Sequence, residues 1–167
     1  MTEEVSRAIR YKHDLTIFIM DLDNFRLVNT EYGHPVGDKV LKKIAAIIKK
    51  SFRDVDIVGR IGGEEFGVIL PETSKDKALE LARRLSKKIK ESILTDLKED
   101  GVELQKTISI GISSFNGLEH GKENAVDLSK KLYEEADKNL YILKGKNGKG
   151  EPDNRGKIAM GGEVIQP

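Results

Sequence analysis

The order of apolar segments predicts an α+β fold, in which a ferredoxin-like antiparallel sheet of the βαββαβ type carries helices on one face. A continuous apolar run at 15–20 is typical of a buried central strand. Two strand-like segments at 56–61 and 66–70 flank a four-residue turn, which indicates a hairpin. A cleanly alternating segment at 107–115 supplies the fourth strand.

The segments between these strands have the spacing of amphipathic helices. Asp38 is predicted to open one strong helix and Ser74 to N-cap the next. Short helices are predicted at about 3–12 and 24–29, and a polar loop or hairpin arm at 94–103. The apolar stripes of the three long helices are Leu41, Ile44, Ile48 and Phe52; Ala78, Leu81, Ala82, Leu85 and Ile89; and Leu128, Leu132, Ala136, Leu140 and Leu143.

The chain is predicted to be a single domain over residues 1–167. Its 167 residues fall within the usual size of one domain, and neither a repeat nor an interdomain linker is visible. The core is expected at about 15–144. Residues 145–167 are expected to form a loop and a C-terminal edge segment, with a weak strand candidate at 157–160.

Composition excludes several classes of protein. Lys and Arg number 29 against 28 Asp and Glu, which argues against general binding of DNA or RNA, because phosphate contacts need a basic surplus. The absence of cysteine excludes disulfides, thiolate zinc sites and cysteine nucleophiles. No apolar run approaches the ~20 residues of a membrane helix. We therefore expect a cytoplasmic location and no membrane contact by this chain.

The turn at 62–65, GlyGlyGluGlu, is the most informative feature. Gly62 and Gly63 could simply close a type I′ hairpin with positive φ angles. Adjacent glutamates form turns poorly, however, and the central strand delivers Asp21 to the same sheet edge. Asp21 and Glu64 together would offer an oxygen-rich Mg²⁺ site, as in two-metal phosphoryl transfer. Glycines there would let a nucleotide approach the backbone closely.

The sequence GlyGlyGluGluPhe at 62–66 resembles the signature of the GGDEF family, the diguanylate cyclases, in its GGEEF variant. Other segments resemble family motifs in the same order and spacing: AspLeuAspAsnPhe at 21–25, AsnThrGluTyrGlyHis at 29–34, GlyAspLysValLeu at 37–41, ThrIleSerIleGlyIle at 107–112 and AlaAspLysAsnLeuTyr at 136–141. The resemblance implies a fold similar to polymerase palms and class III nucleotide cyclases.

The resemblance also implies an activity, the condensation of two GTP into cyclic di-GMP with release of two pyrophosphates. Each protomer would bind one GTP. Two protomers would face each other antiparallel, so that each 3′-hydroxyl attacks the α-phosphate held by the other. A homodimer would therefore be needed for turnover.

By the same resemblance, Asp21, Glu64 and the backbone carbonyl of Leu22 would hold Mg²⁺, with Mn²⁺ as an alternative. Glu65 would be either a further ligand or the group that assists deprotonation of the 3′-hydroxyl. The ion would neutralise charge that develops on the leaving pyrophosphate.

The resemblance places the guanine base beside Asn29 and Asp38. A carboxylate accepts hydrogen bonds from the N1–H and 2-amino group of guanine, which adenine does not present. Phe25 and Leu41 would line the base pocket. Each polar residue also has a structural alternative, since Asp38 could be a helix N-cap and Asn29 could end a helix.

For the triphosphate, the resemblance implies that Lys138 meets the β- and γ-phosphates, with Arg60 near enough to assist. Lys138 could instead be a solvated helix charge. Ile142 departs from the family pattern, because relatives often carry a second basic residue there. Arg26 or Lys144 could compensate for it.

A second site is indicated by the RxxD motif of Arg53 and Asp56, which stands five residues before Gly62, as in the family's inhibitory site. With Arg84, these residues would bind product guanines and produce non-competitive product inhibition, because Arg and Asp complement a guanine edge. The alternative is an ordinary surface ion pair.

Two other classes of function remain open from the sequence: a non-catalytic receptor for cyclic di-GMP, and a GTP-binding regulatory module. The chain begins close to its first core strand. We therefore expect the upstream segment that joins relatives to a sensory domain to be absent or short, as in a catalytic fragment or a free-standing enzyme.

Overall fold

The structure is a computed structural model that describes residues 1–96, 104, 106–118, 124–144 and 155–166. In chain order its elements are α1 (Thr2–Tyr11), β1 (Leu15–Leu22), α2 (Phe25–Tyr32), α3 (His34–Ser51), β2 (Ile57–Arg60), β3 (Glu65–Pro71), α4 (Lys75–Asp96), β4 (Ile108–Phe115), α5 (Ala125–Lys144), β5 (Ile158–Met160) and β6 (Glu163–Ile165).

The strands form one sheet in the order β2-β3-β1-β4-β5-β6. β1 is central and pairs antiparallel with both β3 and β4, which confirms the α+β prediction and the βαββαβ order of the first four strands. The weak strand candidate at 157–160 corresponds to β5, which runs parallel to β4. β6 was not predicted; it pairs with β5 after a turn at Gly161 and Gly162, both of which have positive φ angles.

Helices cover both faces of the sheet, so the prediction of helices on one face is wrong. Alternate residues of β1 enter two separate cores. Phe18, Met20 and Leu22 join residues of α3 and α4, whereas Leu15, Ile17 and Ile19 join residues of α1 and α5. Burial on both faces explains why the β1 sequence is apolar throughout rather than alternating.

The start of α3 also differs from the prediction. The helix begins at His34 rather than at Asp38, and Gly33 precedes it with φ of 81°. Pro35 lies in the first turn, where a missing N–H leaves no hydrogen bond unmade. Asp38 is therefore inside the helix and is not its N-cap.

Two further boundaries follow from the structure. Ser74 immediately precedes α4, and its carbonyl accepts the N–H of Ala78 at 2.9 Å. α4 continues to Asp96, so residues 94–96 are helical rather than loop. Residues 97–103 and 145–154 of the predicted loops lie outside the described part of the chain.

A close approach at Gly111 sets the position of α5 on the sheet. A Cβ atom at this residue of β4 would lie 2.2 Å from the carbonyl oxygen of Ala136 and 2.4 Å from the amide nitrogen of Leu140. Beside it, the buried Asn139 side chain donates to the Ile112 carbonyl at 2.8 Å. Because α5 crosses here, its last residue, Lys144, reaches the end of β1.

Candidate active site

The loop at 61–64 joins β2 to β3 and is held by Arg60. The Arg60 guanidinium donates to the carbonyl oxygens of Gly62 and Gly63 at 2.6 to 3.1 Å. Both glycines have φ angles outside the left-handed region, so the loop is not the type I′ turn that was considered from the sequence. Arg60 and the backbone hydrogen bonds to Glu65, rather than left-handed glycines, stabilise this loop.

Because they lack side chains, the two glycines instead leave space beside the loop backbone. A Cβ atom on Gly62 would lie 2.4 Å from Oε2 of Glu65, so the Glu65 carboxylate lies directly over the Gly62 backbone. A Cβ atom on Gly63 would meet nothing within 4 Å. The backbone of Gly63 therefore faces open space, as close approach of a ligand requires.

The strand register brings Asp21 and Glu64 together. Asp21 lies opposite Glu65 in the β1–β3 pair, and the Leu22 N–H donates to the Glu64 carbonyl at 3.2 Å. Burial raises the pKa of the Glu64 carboxyl, and the negative charge of Asp21 raises it further. Burial also raises the pKa of Asp21, although Lys144 opposes that rise.

Lys144 provides a positive charge beside these acidic residues. Its ammonium donates to the carboxylate of Asp21 and, at 3.3 Å, to that of Asp23. From the sequence, Lys144 was predicted only as a compensating charge. Its helical spacing could have indicated more, because it follows Leu140 by four residues and therefore continues the buried stripe of α5.

Asp23 was not singled out from the sequence, yet it organises the end of β1. Its side chain is buried and accepts hydrogen bonds from Thr107 Oγ1 at 2.6 Å, Ser109 Oγ at 2.8 Å and the Gly156 N–H at 2.9 Å. Because these donors come from the start of β4, from the residue before it and from the segment that leads into β5, Asp23 holds these parts of the chain beside the end of β1.

The predicted base-binding residues lie together where α2 meets α3. A Cβ atom on Gly37 would lie 2.0 Å from Asn29 Oδ1 and 3.1 Å from Phe25 Cζ, so glycine permits this packing. Asp38 follows Gly37 and is exposed. Asp38 and Leu41 line a cleft of about 580 Å³ between α3 and β2.

The same cleft reaches the RxxD residues. Arg53 forms an ion pair with Asp56 at 2.8 Å, and this neighbouring carboxylate raises the pKa of the guanidinium. The Asp56 side chain is only 1% exposed, so the pair closes the turn between α3 and β2. Arg84 donates to the Ser51 carbonyl at 3.1 Å, close to this end of the cleft.

Two predicted phosphate contacts lie on exposed helix surfaces. Arg26 is exposed in the first turn of α2, and Lys138 is exposed on α5. Within the described residues, neither side chain has a hydrogen bond or ion pair to Asp21 or Glu64. Their roles therefore stay predictions.

The oxygen donors fit Mg²⁺, although in the described part of the chain no three acidic or histidine side chains converge as a ready metal site. Mg²⁺ is usually held by one or two carboxylates together with water and substrate phosphates. Asp21, Glu64 and the Leu22 carbonyl supply such a set. Because the charge of Asp21 raises the pKa of Glu64, a cation between the carboxylates would relieve their repulsion.

The chain belongs to the family described as "Diguanylate cyclase, GGDEF domain", whose model matches residues 1–150. It is 40% identical over 138 residues to diguanylate cyclase A of Treponema denticola, an alignment that covers 83% of this chain and 34% of that protein. The match to diguanylate cyclase DgcP of Pseudomonas aeruginosa, at 38% identity, covers 86% of this chain and 20% of that protein. The chain thus spans about a third or less of the length of these curated relatives.

Solved structures agree with the fold. The active GGEEF domain of a diguanylate cyclase from Vibrio cholerae is similar with a TM-score of 0.75 at 29% identity, covering 94% of this chain and 88% of that one. The GGDEF domain of DgcB from Caulobacter crescentus, solved in complex with c-di-GMP, has a TM-score of 0.75 at 20% identity, covering 95% and 84%. In the described residues, no helix is both long and apolar enough to cross a membrane.

Proposed function

We propose that this protein is a diguanylate cyclase, which condenses two GTP into cyclic di-GMP and releases two pyrophosphates. The observation that carries the proposal is the meeting of the Asp21 and Glu64 carboxylates at the end of β1, beside the open backbone of Gly63. Membership of the GGDEF family supports it. The GGEEF domain from Vibrio cholerae, described as active, supports a glutamate as the third residue of the motif.

Asp21, Glu64 and the carbonyl of Leu22 would hold Mg²⁺ or Mn²⁺. When bound, the metal would stabilise negative charge on the phosphates. Glu65, whose carboxylate lies over Gly62, is proposed either as a further ligand or as the group that takes the proton of the 3′-hydroxyl. The loop at 61–64 would be kept in place for the substrate by Arg60.

Guanine would be recognised where α2 meets α3. We assign Asp38 as acceptor for the N1–H and the 2-amino group, because its carboxylate is exposed at the cleft. Asn29 would contact the base edge, and Phe25 and Leu41 would provide the apolar wall. Adenine lacks the two donors that Asp38 requires, so this site would discriminate against ATP.

For the triphosphate, we propose Lys144 as the principal cation, since it already contacts Asp21, one of the carboxylates that would hold the metal, and its charge acts on Glu64, the other. Lys138 and Arg26 are proposed as outer contacts. Arg60 donates to the carbonyls of Gly62 and Gly63, so its main proposed role is to position these two residues rather than to contact phosphate.

Two protomers would be required for one turnover, because the product contains two phosphodiester bonds and each protomer would hold one GTP. In each bond-forming step, a 3′-oxygen attacks the α-phosphorus held by the partner. The bond from that phosphorus to pyrophosphate breaks, and the 3′-hydroxyl proton is lost. Product inhibition would act through Arg53 and Asp56, which lie at the far end of the cleft from Asp38, and through Arg84, which donates to Ser51 close to that end.

The test is GTP turnover with Mg²⁺, with products separated by chromatography. We expect cyclic di-GMP and pyrophosphate from the wild type, and a loss of at least ~100-fold in Glu64→Gln, as for removal of a transition-state contact. Glu80→Gln, on the exposed surface of α4, is the matched control and should keep full activity. No product from the wild type, with cyclic di-GMP still bound, would favour the receptor; binding of GTP alone would favour a regulatory module.

A further inference from the structure

One face of α3 lines the cleft from one end of the cleft to the other. Asp38, Lys42, Ala45 and Lys49 all line it, three or four residues apart, and Arg53 follows just beyond the end of the helix. The eleven residue steps from Asp38 to Lys49 span about 16 Å at the helical rise. The cleft therefore runs from the proposed guanine site to the RxxD site.

Arg53 is largely neutralised at its end of the cleft. Its Nε and Nη2 atoms donate to the Asp56 carboxylate at 2.8 to 3.3 Å. Nη2 also donates to the Pro71 carbonyl at 2.9 Å and to Thr73 Oγ1 at 3.0 Å. Opposite charges this close cancel most of each other's field. Arg53, whose side chain is 47% exposed, can donate to a guanine edge, but the pair supplies no net charge for a phosphate.

Apart from this pair, the lining holds three cations, Lys42, Lys49 and Arg60, against the carboxylates of Asp38 and Asp54. Arg60 donates to loop carbonyls at the opposite end from Arg53, and Lys42 lies one turn from Asp38. Lys49 lies in the last turn of α3, four residues before Arg53, and has no ion pair within the described part of the chain. Among the cations of α3 that line the cleft, it is the one nearest to the RxxD pair.

We propose that Lys49 is a further ligand-binding residue of the product site, where its ammonium contacts a phosphodiester of the cyclic dinucleotide. Arg53 and Asp56 then recognise the guanine, while Lys49 balances the phosphate charge, for which the RxxD pair has no net charge. This inference rests on the proposed product-inhibition site and adds a residue that lies outside the motif.

The test is calorimetric titration of the full chain with cyclic di-GMP. Lys49→Gln should weaken binding about three- to tenfold, the range of one charge-assisted contact at a partly exposed site. Lys50→Gln is the matched control, because Lys50 is the next residue of α3, is exposed and does not line the cleft. Added salt should weaken binding less in Lys49→Gln than in the wild type, since one ionic contact is gone. The KM for GTP should not change.

Equal affinities for Lys49→Gln and Lys50→Gln would overturn the assignment of Lys49. An Arg53→Ala variant separates the two levels of the proposal. If Arg53→Ala loses binding while Lys49→Gln keeps it, the product site stands and only the Lys49 contact fails. If the wild type does not bind cyclic di-GMP, or if Arg53→Ala binds it as well as the wild type, the assignment of the product site is wrong. The assignment of Lys49 is then wrong too.

Discussion

Lys144, the last residue of α5, donates a hydrogen bond to the carboxylate of Asp21, the proposed metal ligand near the end of β1. The two residues are 123 positions apart in the sequence. Their contact depends on Asp23, which accepts from the same ammonium and anchors β4 beside β1. The contact places the positive charge of Lys144 beside Asp21, where it also acts on Glu64, the second carboxylate that would hold the metal.

Lys144→Gln should therefore lower kcat/KM for GTP by roughly tenfold or more, the usual cost of losing a hydrogen bond to a charged group. Lys138→Gln is the matched control, since Lys138 is an exposed lysine on the same helix. We expect a clearly smaller loss there. Steady-state kinetics of both variants checks the assignment, which fails if Lys138→Gln is the more damaged enzyme.

Arg53→Ala should relieve product inhibition. Its guanidinium edge would be lost from the cleft, so the concentration of cyclic di-GMP that halves the rate should rise at least ~10-fold, with KM for GTP unchanged. Initial rates at several product concentrations measure this shift. An inhibition curve that stays where it was would contradict the assignment of this site.

Gly111→Ala should destabilise the fold by about 3 kcal/mol or more, because the added methyl would overlap the backbone of α5, which cannot move alone. Gly59→Ala is the control: it lies in β2 and a Cβ atom there meets nothing within 4 Å. Its change should stay within about 0.5 kcal/mol. Urea unfolding of both variants gives the comparison, and similar midpoints would contradict this view of α5 packing.

Lys106 should make stability depend on pH. Burial lowers its pKa below the usual 10.5, and its ammonium donates to the Asn24 carbonyl at 3.4 Å. As pH rises toward 10.5, the folded state loses this proton before the unfolded state does. Stability therefore rises through that window, and the gain is lost as pH falls through the folded pKa.

The measurement is the free energy of unfolding of the wild type relative to Lys106→Met, from neutral pH to 10.5. This difference should shift in favour of the wild type as pH rises. The same series with Lys90→Met, an exposed lysine of α4, should give a constant difference. A flat profile for Lys106→Met would mean that its burial has no energetic cost.

Much of the site could be predicted because it depends on local pattern and strand order. The apolar run of β1 and the hairpin identified the central strands, and their pairing places Asp21 beside Glu64. Lys144 was harder to predict, because its position depends on where α5 crosses the sheet at Gly111. The spacing of residues within α5 does not show where this helix crosses the sheet.

The sequence pattern also could not predict which face of the sheet each helix covers. An amphipathic helix shows that it has an apolar side, but not which side of the sheet it covers. Because β1 is apolar on both faces of the sheet, α1 and α5 pack against the face opposite to α3 and α4. The start of α3 was misplaced because His34 and Pro35 are typical of a turn, whereas proline is equally well accommodated in a first helical turn.

The most direct test of the central claim is the rate of cyclic di-GMP formation per protomer across a dilution series. Molecular mass is measured at the same concentrations by light scattering. The two-protomer mechanism predicts that the rate per protomer falls with dilution as dimer gives way to monomer, and that Glu64→Gln is inactive throughout. A rate per protomer that stays constant where the protein is fully monomeric would contradict it.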